Sequence, residues 1–477
     1  MAQPGGQLRR ELGLFHAVLL GLGSILGTGV FVSIGIAAGV AGPAVLVAIV
    51  LAALLALCNG LSSAQLAAAH PVAGGTYEYG YRYLNDKLGF TAGWMFLLAK
   101  SASAATAALA VSYYLTWQFV ITTEVVAWLG ARNIVYLEIG IALLALGAVM
   151  ATVLCGIRRS NWVNAVLVSV TVAGLLVVMV FVFYQSLNGG AVRRDVTYLA
   201  AHWDVQVSLL AATALMFVAF TGYGRIATLG EEVRNPRRVI PNAIWITLAV
   251  STVLYLGIGL VVVLTMGELD TVMTADGLAY AMYVFGAQQW LIGCIALAAI
   301  TAMLGVLLNL ILGLSRVALA MGRRGDLPRV FAKVNAAGTT PVPAVLLVAG
   351  IITGLTLVGD VKATWSFSAF TVLIYYGITN LACLRLPKED RLYPRAFAWA
   401  GLAGCFFLAW WVEPRYWVAG CVLIVVGLFW QQFAQRVFKQ LPDPREVCVK
   451  CRYDLRASSG TCPECGAVIP GEDAADT

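Results

Sequence analysis

The stretch Gly23-Ser24-Ile25-Leu26-Gly27-Thr28-Gly29-Val30-Phe31 lies inside the first long apolar segment of the chain. Glycine costs about 1 kcal/mol relative to alanine in a helix interior, so three glycines with a serine and a threonine predict an interruption of the helix. The interruption would fall inside a segment long enough to cross a bilayer. Non-helical backbone at that depth must line a cavity or be covered by protein. The stretch therefore predicts a site as well as a fold.

The composition is that of an integral membrane protein. The 477 residues are 60% hydrophobic and 12% charged, with a mean hydropathy of +0.85, whereas a soluble domain has about 25% charged residues. About twelve apolar windows between residues 13 and 434 suit helices that cross a bilayer. None alternates with the period of two that a transmembrane barrel requires. The expected fold class is an all-α membrane protein with about twelve transmembrane helices.

The basic residues predict the orientation of the chain. Of the 31 lysine and arginine residues, 23 lie in the two termini and in alternate loops, and five lie in the other loops. Because lysine and arginine are concentrated in cytoplasmic loops, we expect a multi-pass protein of the plasma membrane with both termini in the cytoplasm. The net charge of +7 does not indicate nucleic acid binding, since the basic residues are spread over short loops.

A second segment, Met216–Gly224, repeats the pattern of the first. It reads MFVAFTGYG and places glycines and a threonine near the middle of the sixth apolar window. The two segments are five helices apart and would enter the membrane from opposite sides. Discontinuous helices at matching positions are typical of transporters built from inverted repeats. A packing role is the alternative, since Gly23 and Gly27 have the small-xxx-small spacing that brings transmembrane helices together.

Two broken helices of this kind would recognise the backbone of an α-amino acid. The N-terminus of a half-helix leaves N–H groups free and carries a partial positive charge, which favours a carboxylate. The hydroxyl of Thr28 lies at the first break, and carbonyl groups freed between Val218 and Thr221 would suit an ammonium group. The side chain of the substrate would then occupy a separate pocket.

Four segments, in this order, resemble motifs of the amino acid–polyamine–organocation (APC) permeases. They are Gly23–Phe31, Pro71–Tyr79, Gly230–Pro241 and Ala320–Pro328. The resemblance covers residues of roughly 10–435. It implies a LeuT-type fold, a 5+5 inverted repeat with broken helices 1 and 6, and secondary transport of amino acids or related amines.

The resemblance also implies a set of substrate-binding residues. Val218 lies where some relatives carry a gating tryptophan, which leaves Phe220 and Tyr223 as candidates for closing the pocket; helix packing is the alternative role for both aromatic residues. The implied substrate-binding residues are Ser24, Gly27, Thr28, Gly29, Val218, Ala219, Phe220, Thr221 and Tyr223.

Lys100 is a candidate for ion coupling. It lies about ten residues into the third window, hence about 15 Å deep, where a lysine costs roughly 3 kcal/mol or more. Its partner would be water, a hydroxyl or a freed carbonyl. In some relatives a lysine on helix five stands in for a coupling sodium ion, and Thr171 takes the comparable position here. We hypothesise that Lys100 supplies the intramembrane charge and titrates during proton coupling.

Two alternatives to this hypothesis remain open. Lys100 could be a structural lysine that extends toward the cytoplasmic face. Sodium could be the coupling ion, with the hydroxyls of Thr171 and Ser315 as ligands. Arg225, directly after the second break, either lies in the cytoplasmic vestibule, which we favour, or binds a substrate side chain.

The sequence argues against an enzyme. His16, His70 and His202 show no metal-ligand spacing, and the chain has neither a Ser-His-Asp grouping nor a phosphate-binding P-loop. The absence of a nucleotide motif also argues against a primary pump.

The C-terminal tail carries a metal-binding pattern. Cys448 and Cys451 form one CxxC pair, and Cys462 and Cys465 form a second after ten residues. Four cysteines at this spacing are typical of a structural zinc ribbon. A tail of about 25 residues has too small a core to fold alone, so Zn²⁺ would supply its stability. Free or redox-active thiols are the alternative, and a cytoplasmic protein is a possible partner of this tail.

The sequence thus predicts a secondary active amino acid permease, proton-coupled or sodium-coupled, with proton coupling favoured. The alternatives are an amino acid sensor that signals through the tail and a transporter of polyamines or other organic cations. No acidic residue lies near either break, which favours neutral substrates over cationic ones. The expected divisions are an N-terminal segment at 1–12, the permease domain at 13–436, a linker at 437–447, the zinc ribbon at 448–466 and a disordered tail at 467–477.

Overall fold

The computed structural model describes residues 12–72, 74–116, 123–187, 208–228, 233–265, 287–335, 339–357 and 361–438. Within these ranges the chain is all-helical, as predicted, apart from one β-bridge. The helices are α1 (Leu14–Ile25), α2 (Ile34–Ala41), α3 (Val45–Ala69), α4 (Thr76–Tyr83), α5 (Asp86–Leu115), α6 (Thr123–Leu154), α7 (Ile157–Leu187), α8 (Ser208–Phe220), α9 (Gly224–Thr228), α10 (Pro236–Thr265), α11 (Gln289–Arg324), α12 (Val342–Thr356), α13 (Val361–Leu384), α14 (Arg395–Ala409) and α15 (Pro414–Val437).

The described helices are long and apolar enough for a multi-pass membrane protein. Nine helical stretches in the described part of the chain meet the length and hydropathy needed to cross a bilayer, and α12 and α14 are shorter apolar helices. The first stretch, Leu14–Ala69, has 56 residues, about 84 Å of helix for a hydrocarbon core of about 30 Å. A 3₁₀ turn at Gly42–Ala44 divides it, and Gly42 adopts φ 55°, which only glycine accepts readily.

The centre of the molecule is helix α5. In its apolar window 94% of the residues are buried, compared with 22% in α15. The segment between Ser101 and Ala108 contains only serine, alanine and threonine. Small side chains of this kind let neighbouring helices approach closely, and α5 packs against both α11 and α13. Helices such as α6, α7 and α15 expose large apolar side chains, which suits contact with lipid.

Helix α4, which follows α3, is fixed to the end of α11 by a polar cluster. The hydroxyls of Tyr77 and Tyr81 donate to the same carboxylate oxygen of Asp326, at 2.7 and 2.6 Å. Arg324 forms an ion pair with Glu78 and places its guanidinium 4.2 Å from the ring centre of Tyr81. Burial raises the pKa of the Asp326 carboxyl, and the two tyrosine hydroxyls and Arg324 partly oppose that rise. Helix α4 and the C-terminal end of α11 are therefore held together by the buried carboxylate of Asp326.

A short backbone bridge links the start of α1 to the segment after α9. Leu12 and Val233 form a parallel β-bridge, and the N–H of Arg234 donates to the carbonyl of Leu12 at 2.8 Å. Leu12 and Val233 are both buried, at 2% and 0% exposure. The chain just before α1 and the chain just after α9 are thus joined through their backbones.

Candidate functional site

The first glycine-rich stretch interrupts its helix. Helix α1 ends at Ile25, and Leu26 has non-helical backbone angles, φ −78° and ψ 85°. A π-helical turn over Gly29–Ser33 then leads into α2. A side chain at Gly27 would overlap Val306 and lie 2.9 Å from a backbone carbonyl of α11. Glycine is needed here because two backbones approach each other closely.

The second interruption is a tightening of the helix rather than an unwound segment. Between α8 and α9, residues Thr221–Tyr223 form a 3₁₀ turn, and Phe220 and Gly224 on either side keep right-handed helical angles. A Cβ at Gly222 would lie 2.5 Å from the backbone carbon and oxygen of Ser24. The two interruptions are therefore in direct backbone contact.

The carbonyl groups at the second interruption have hydroxyl partners. The hydroxyl of Thr221 donates to the carbonyl of Val218 at 2.6 Å, and the hydroxyl of Tyr376 donates to the carbonyl of Thr221 at 3.0 Å. In this conformation the carbonyls of Val218 and Thr221 thus each accept from a hydroxyl group, whereas the sequence predicts carbonyls freed for a ligand between these residues. The physical reason is that an unsatisfied buried carbonyl is costly, and nearby hydroxyls supply the missing donors.

One tyrosine bridges both interruptions. The hydroxyl of Tyr255, on α10, lies 2.6 Å from the carbonyl oxygen of Ile25 and 3.1 Å from that of Ala219. A side chain at Gly29 would overlap the phenolic oxygen of Tyr255, so this glycine makes room for the bridge. Neither Tyr255 nor Tyr376 is among the site residues predicted from the sequence. The available signal is a tyrosine inside an apolar window, whose hydroxyl needs a partner when buried.

A small cavity lies where the two interruptions meet α5, α11 and α13. Its volume is about 10 Å³, which is room for about one water molecule. It brings together six of the predicted site residues, and no aspartate or glutamate lines it. The lining residues are Ser24, Ile25, Thr28, Lys100, Ser103, Val218, Ala219, Thr221, Gly222, Val306, Leu310 and Trp365.

Lys100 extends into this cavity and contacts the second interruption. Its side chain is buried, and its Nζ donates to the hydroxyl oxygen of Thr221 at 2.5 Å. Of the partners that the sequence left open, the observed one is a hydroxyl. Because Lys100 contacts Thr221 in the cavity, the alternative of a structural lysine extending to the cytoplasmic face does not describe this conformation.

The two aromatic gate candidates do not line the cavity. Phe220 packs against Tyr255 with ring centres 4.9 Å apart, and Tyr223 packs against Tyr376 at 5.2 Å. All four rings are buried. In this conformation Phe220 and Tyr223 support the tyrosines that bind the interrupted backbone.

The two hydroxyls considered as sodium ligands also lie away from the cavity lining. Thr171 donates to the carbonyl of Leu167 at 2.8 Å and lies 3.4 Å from the hydroxyl of Thr301. Ser315 donates to the carbonyl of Leu312 at 2.9 Å. The structure does not bring Thr171 or Ser315 together with Lys100 at the cavity.

An amide pair beside the first interrupted helix was also missed. Asn164 on α7 donates to the carbonyl of Leu19 at 3.2 Å and accepts a hydrogen bond from the amide of Asn309 on α11. A side chain at Gly23 would overlap the amide oxygen of Asn164. Asparagine within two apolar windows was the available signal, but its partners depend on how α1, α7 and α11 pack.

Arg225 is buried on α9 and lies outside the cavity lining. Its side chain packs against Gly313 of α11, where an added Cβ would lie 3.1 Å from Cδ of the arginine.

The predicted metal ligands, Cys448, Cys451, Cys462 and Cys465, lie outside the described residues. Within the described ranges, no cluster of three or more histidine, cysteine, aspartate or glutamate residues is suited to a metal ion.

Comparison with known proteins shows that this chain belongs to the amino acid permease family. The family model for amino acid permeases matches residues 16–442. An uncharacterized transporter of Mycobacterium tuberculosis is 38% identical over 422 residues, which cover 88% of this chain and 90% of that protein. The branched-chain amino acid permease of Bacillus subtilis is 27% identical over 444 residues, 89% of each chain. Human cationic amino acid transporter 4 is 32% identical over 397 residues, 80% of this chain and 61% of the relative.

Proposed function

Because this chain belongs to the amino acid permease family, we propose that it is a secondary active transporter that moves α-amino acids across the plasma membrane by alternating access. Members of the family are transporters and not enzymes, so the expectation that the chain is not an enzyme is confirmed. Two of its relatives are named for the transport of branched-chain and of cationic amino acids. These names support amino acids as the substrate class. Because the two names differ in the kind of substrate side chain, they do not define it for this chain.

The observation that carries the proposal is the direct contact of two interrupted helices around a buried polar cavity. The segment after Leu26 restarts the helix at Thr28 and Gly29, so their N–H groups fall in its first turn. That end of the helix carries partial positive charge and favours the substrate carboxylate. Val218 and Ala219 also line the cavity, and the substrate ammonium would replace the hydroxyl donors that their carbonyls have at present.

We extend the proposal to the topology. Twelve crossings, arranged as a 5+5 inverted repeat, would place both termini in the cytoplasm. The bounds of the helices support this arrangement, since α1 with α2 and α8 with α9 each make one interrupted crossing. The distribution of basic residues over alternate loops supports the orientation.

Lys100 is the proposed site of proton coupling. Its ammonium donates to Thr221, at the interruption where the substrate ammonium is expected to bind. Substrate binding would change the charges around this buried group, so gain or loss of the Lys100 proton would be coupled to substrate binding. Transport by a Lys100→Met variant that keeps the full pH dependence of the natural protein would overturn this role, and sodium would then be the coupling ion to examine.

The test is uptake in liposomes that contain the purified protein. We expect labelled amino acids to accumulate above their external concentration when a proton gradient or a sodium gradient is imposed, and to leak out when an ionophore removes that gradient. Liposomes without the protein provide the baseline. Binding without accumulation would favour the sensor over the transporter. Accumulation of polyamines without amino acids would favour the organic cation transporter of the same fold.

The tail is proposed to hold one structural Zn²⁺ through Cys448, Cys451, Cys462 and Cys465. The spacing of the two CxxC pairs supports a tetrahedral four-thiolate site. Once closed by zinc, such a module would offer a compact surface to a cytoplasmic protein.

A further inference from the structure

The wall of the cavity formed by α5 and α13 presents hydrogen-bond donors. In its protonated form Lys100 carries three N–H groups, one of which contacts Thr221. Trp365 is 2% exposed and lines the same cavity, and its indole N–H has no acceptor among the described residues. An indole nitrogen donates only, and buried donors are almost always paired. The missing acceptor at Trp365 points to a ligand.

Two pairs of hydroxyl groups between α5 and α13 fix the relative position of Lys100 and Trp365. Ser103 and Ser368 are 2.8 Å apart, and Thr106 and Thr364 are 2.7 Å apart. These pairs show that α5 and α13 run in opposite directions. Lys100 precedes Ser103 by three residues and Trp365 precedes Ser368 by three residues, so the two donors lie about one turn to either side of the serine pair.

Three backbone carbonyls of the lining residues already have donors. The carbonyls of Ile25 and Ala219 accept from Tyr255, and the carbonyl of Val218 accepts from Thr221. These three acceptors are therefore engaged, whereas the indole donor of Trp365 has no partner among the described residues.

The charges of the lining residues also favour a substrate with an additional negative charge. Lys100 is the one charged residue among the cavity-lining residues of the described structure. A zwitterionic substrate would leave the occupied site with one positive charge, and a cationic side chain would leave it with two. A side-chain carboxylate would make the site neutral, and an uncompensated buried charge is costly.

We propose that the preferred substrate is an α-amino acid whose side chain ends in a carboxylate, held by Lys100 and Trp365; this inference rests on the proposed transport function. The substrate's own carboxylate and ammonium groups would occupy the two interrupted helices. The helices must separate to admit any amino acid, because the cavity holds about one water molecule in this conformation. The side-chain carboxylate would then lie between Lys100 on α5 and Trp365 on α13.

The test uses ligand pairs that differ in charge and hardly in shape. Binding of aspartate and asparagine, and of glutamate and glutamine, is measured at pH 7 on the full chain by calorimetry. We expect the acid of at least one pair to bind about tenfold or more tightly than its amide, as expected for one close charge pair. Equal or tighter binding of the amides, or tighter binding of lysine or arginine, would overturn the proposal.

Single-residue variants test whether Lys100 and Trp365 cause the preference for the acid over the amide. Lys100→Met should remove the preference for the acid and leave amide binding measurable, which also shows that the variant is folded. Trp365→Phe should weaken binding of the acid more than that of the amide. Lys333→Met and Trp410→Phe are the matched controls, because both residues are exposed and lie outside the cavity lining. A preference unchanged in Lys100→Met would contradict the proposal.

The two proposals fail in different ways. If none of the twenty amino acids binds or accumulates, transport itself is refuted and the substrate class with it. If neutral or cationic amino acids accumulate without a preference for carboxylates, transport stands and only the substrate class is refuted. Should Lys100→Met fail to fold, the ratio of acid to amide binding in the unmodified protein decides the question.

Discussion

The phenolic oxygen of Tyr255 lies 2.6 Å from the carbonyl oxygen of Ile25, the last residue of α1. The same hydroxyl lies 3.1 Å from the carbonyl of Ala219 on α8, so its one proton is shared between two interrupted helices. Both carbonyls belong to buried residues, at 1% and 4% exposure, so their hydrogen-bond donors must come from within the protein. Tyr255 is therefore the clearest link between the two halves of the site.

Replacing Tyr255 with phenylalanine should destabilise the protein and impair transport. Two buried acceptors would lose their donor, and an unsatisfied buried group costs about 1–3 kcal/mol. Thermal unfolding in detergent and uptake in liposomes measure the two effects. Tyr136→Phe is the control, because Tyr136 is 62% exposed. Equal unfolding temperatures for the two variants would show that the bridge contributes nothing to stability.

Replacing Gly222 with alanine should push the two interrupted helices apart. The added Cβ would lie 2.5 Å from the backbone of Ser24, and backbone atoms cannot move aside as a flexible side chain can. Overpacking of this kind typically costs about 1–3 kcal/mol, and we expect uptake to be lost. Gly350→Ala, on the exposed face of α12, meets no atom within 4 Å and should leave uptake unchanged. Normal uptake by Gly222→Ala would mean that the two segments separate without cost.

Replacing Tyr81 with phenylalanine should make stability depend more strongly on pH. Burial raises the pKa of Asp326, and the Tyr81 hydroxyl lowers it, so the variant should have the higher pKa. A carboxyl with a raised pKa binds its proton more tightly in the folded state. Stability then falls as pH rises from about 4 through the folded pKa and stays level above it.

The loss of stability caused by Tyr81→Phe should therefore be larger at pH 7 than at pH 4, reaching about 1–3 kcal/mol. Unfolding temperatures across this pH range measure it. Tyr77→Phe should shift the profile in the same direction, since Tyr77 donates to the same oxygen of Asp326. Parallel profiles for the variant and the natural protein would show that Asp326 is not the titrating group.

The tail should bind one zinc ion per chain, measured by elemental analysis of the purified protein. Cys462→Ser should lose most of this zinc, because three thiolates no longer close a tetrahedral site. Cys294→Ser is the control, since Cys294 is an exposed cysteine on α11. Retention of a full equivalent of zinc by Cys462→Ser, or no zinc in the natural protein, would refute the site.

The sequence predicted the larger features of the fold because they depend on local composition. Apolar length predicted the helices, and the glycines around Thr28 predicted the interruption after Ile25. The position of the second interruption was predicted, but its backbone conformation was not. Glycine content cannot distinguish an unwound segment from the 3₁₀ turn at Thr221–Tyr223.

The partners of the site residues were harder to predict because they come from distant helices. The depth of Lys100 follows from its position in the window, whereas its contact with Thr221 depends on how α5 packs against the second interruption. Trp365 and Tyr255 gave no local signal beyond a polar atom in an apolar segment. Only the tertiary packing places Trp365 at the cavity and the hydroxyl of Tyr255 between two carbonyls.

The bridge between Leu12 and Val233 constrains how the site opens. It connects the N-terminal end of α1 to the chain just beyond α9, and Tyr255 connects the other end of α1 to α8. A displacement of α1 that preserves these two attachments carries the second interrupted helix with it. While both attachments hold, the two interrupted helices would therefore move as one body, and they could separate only after Tyr255 releases one of its two carbonyls.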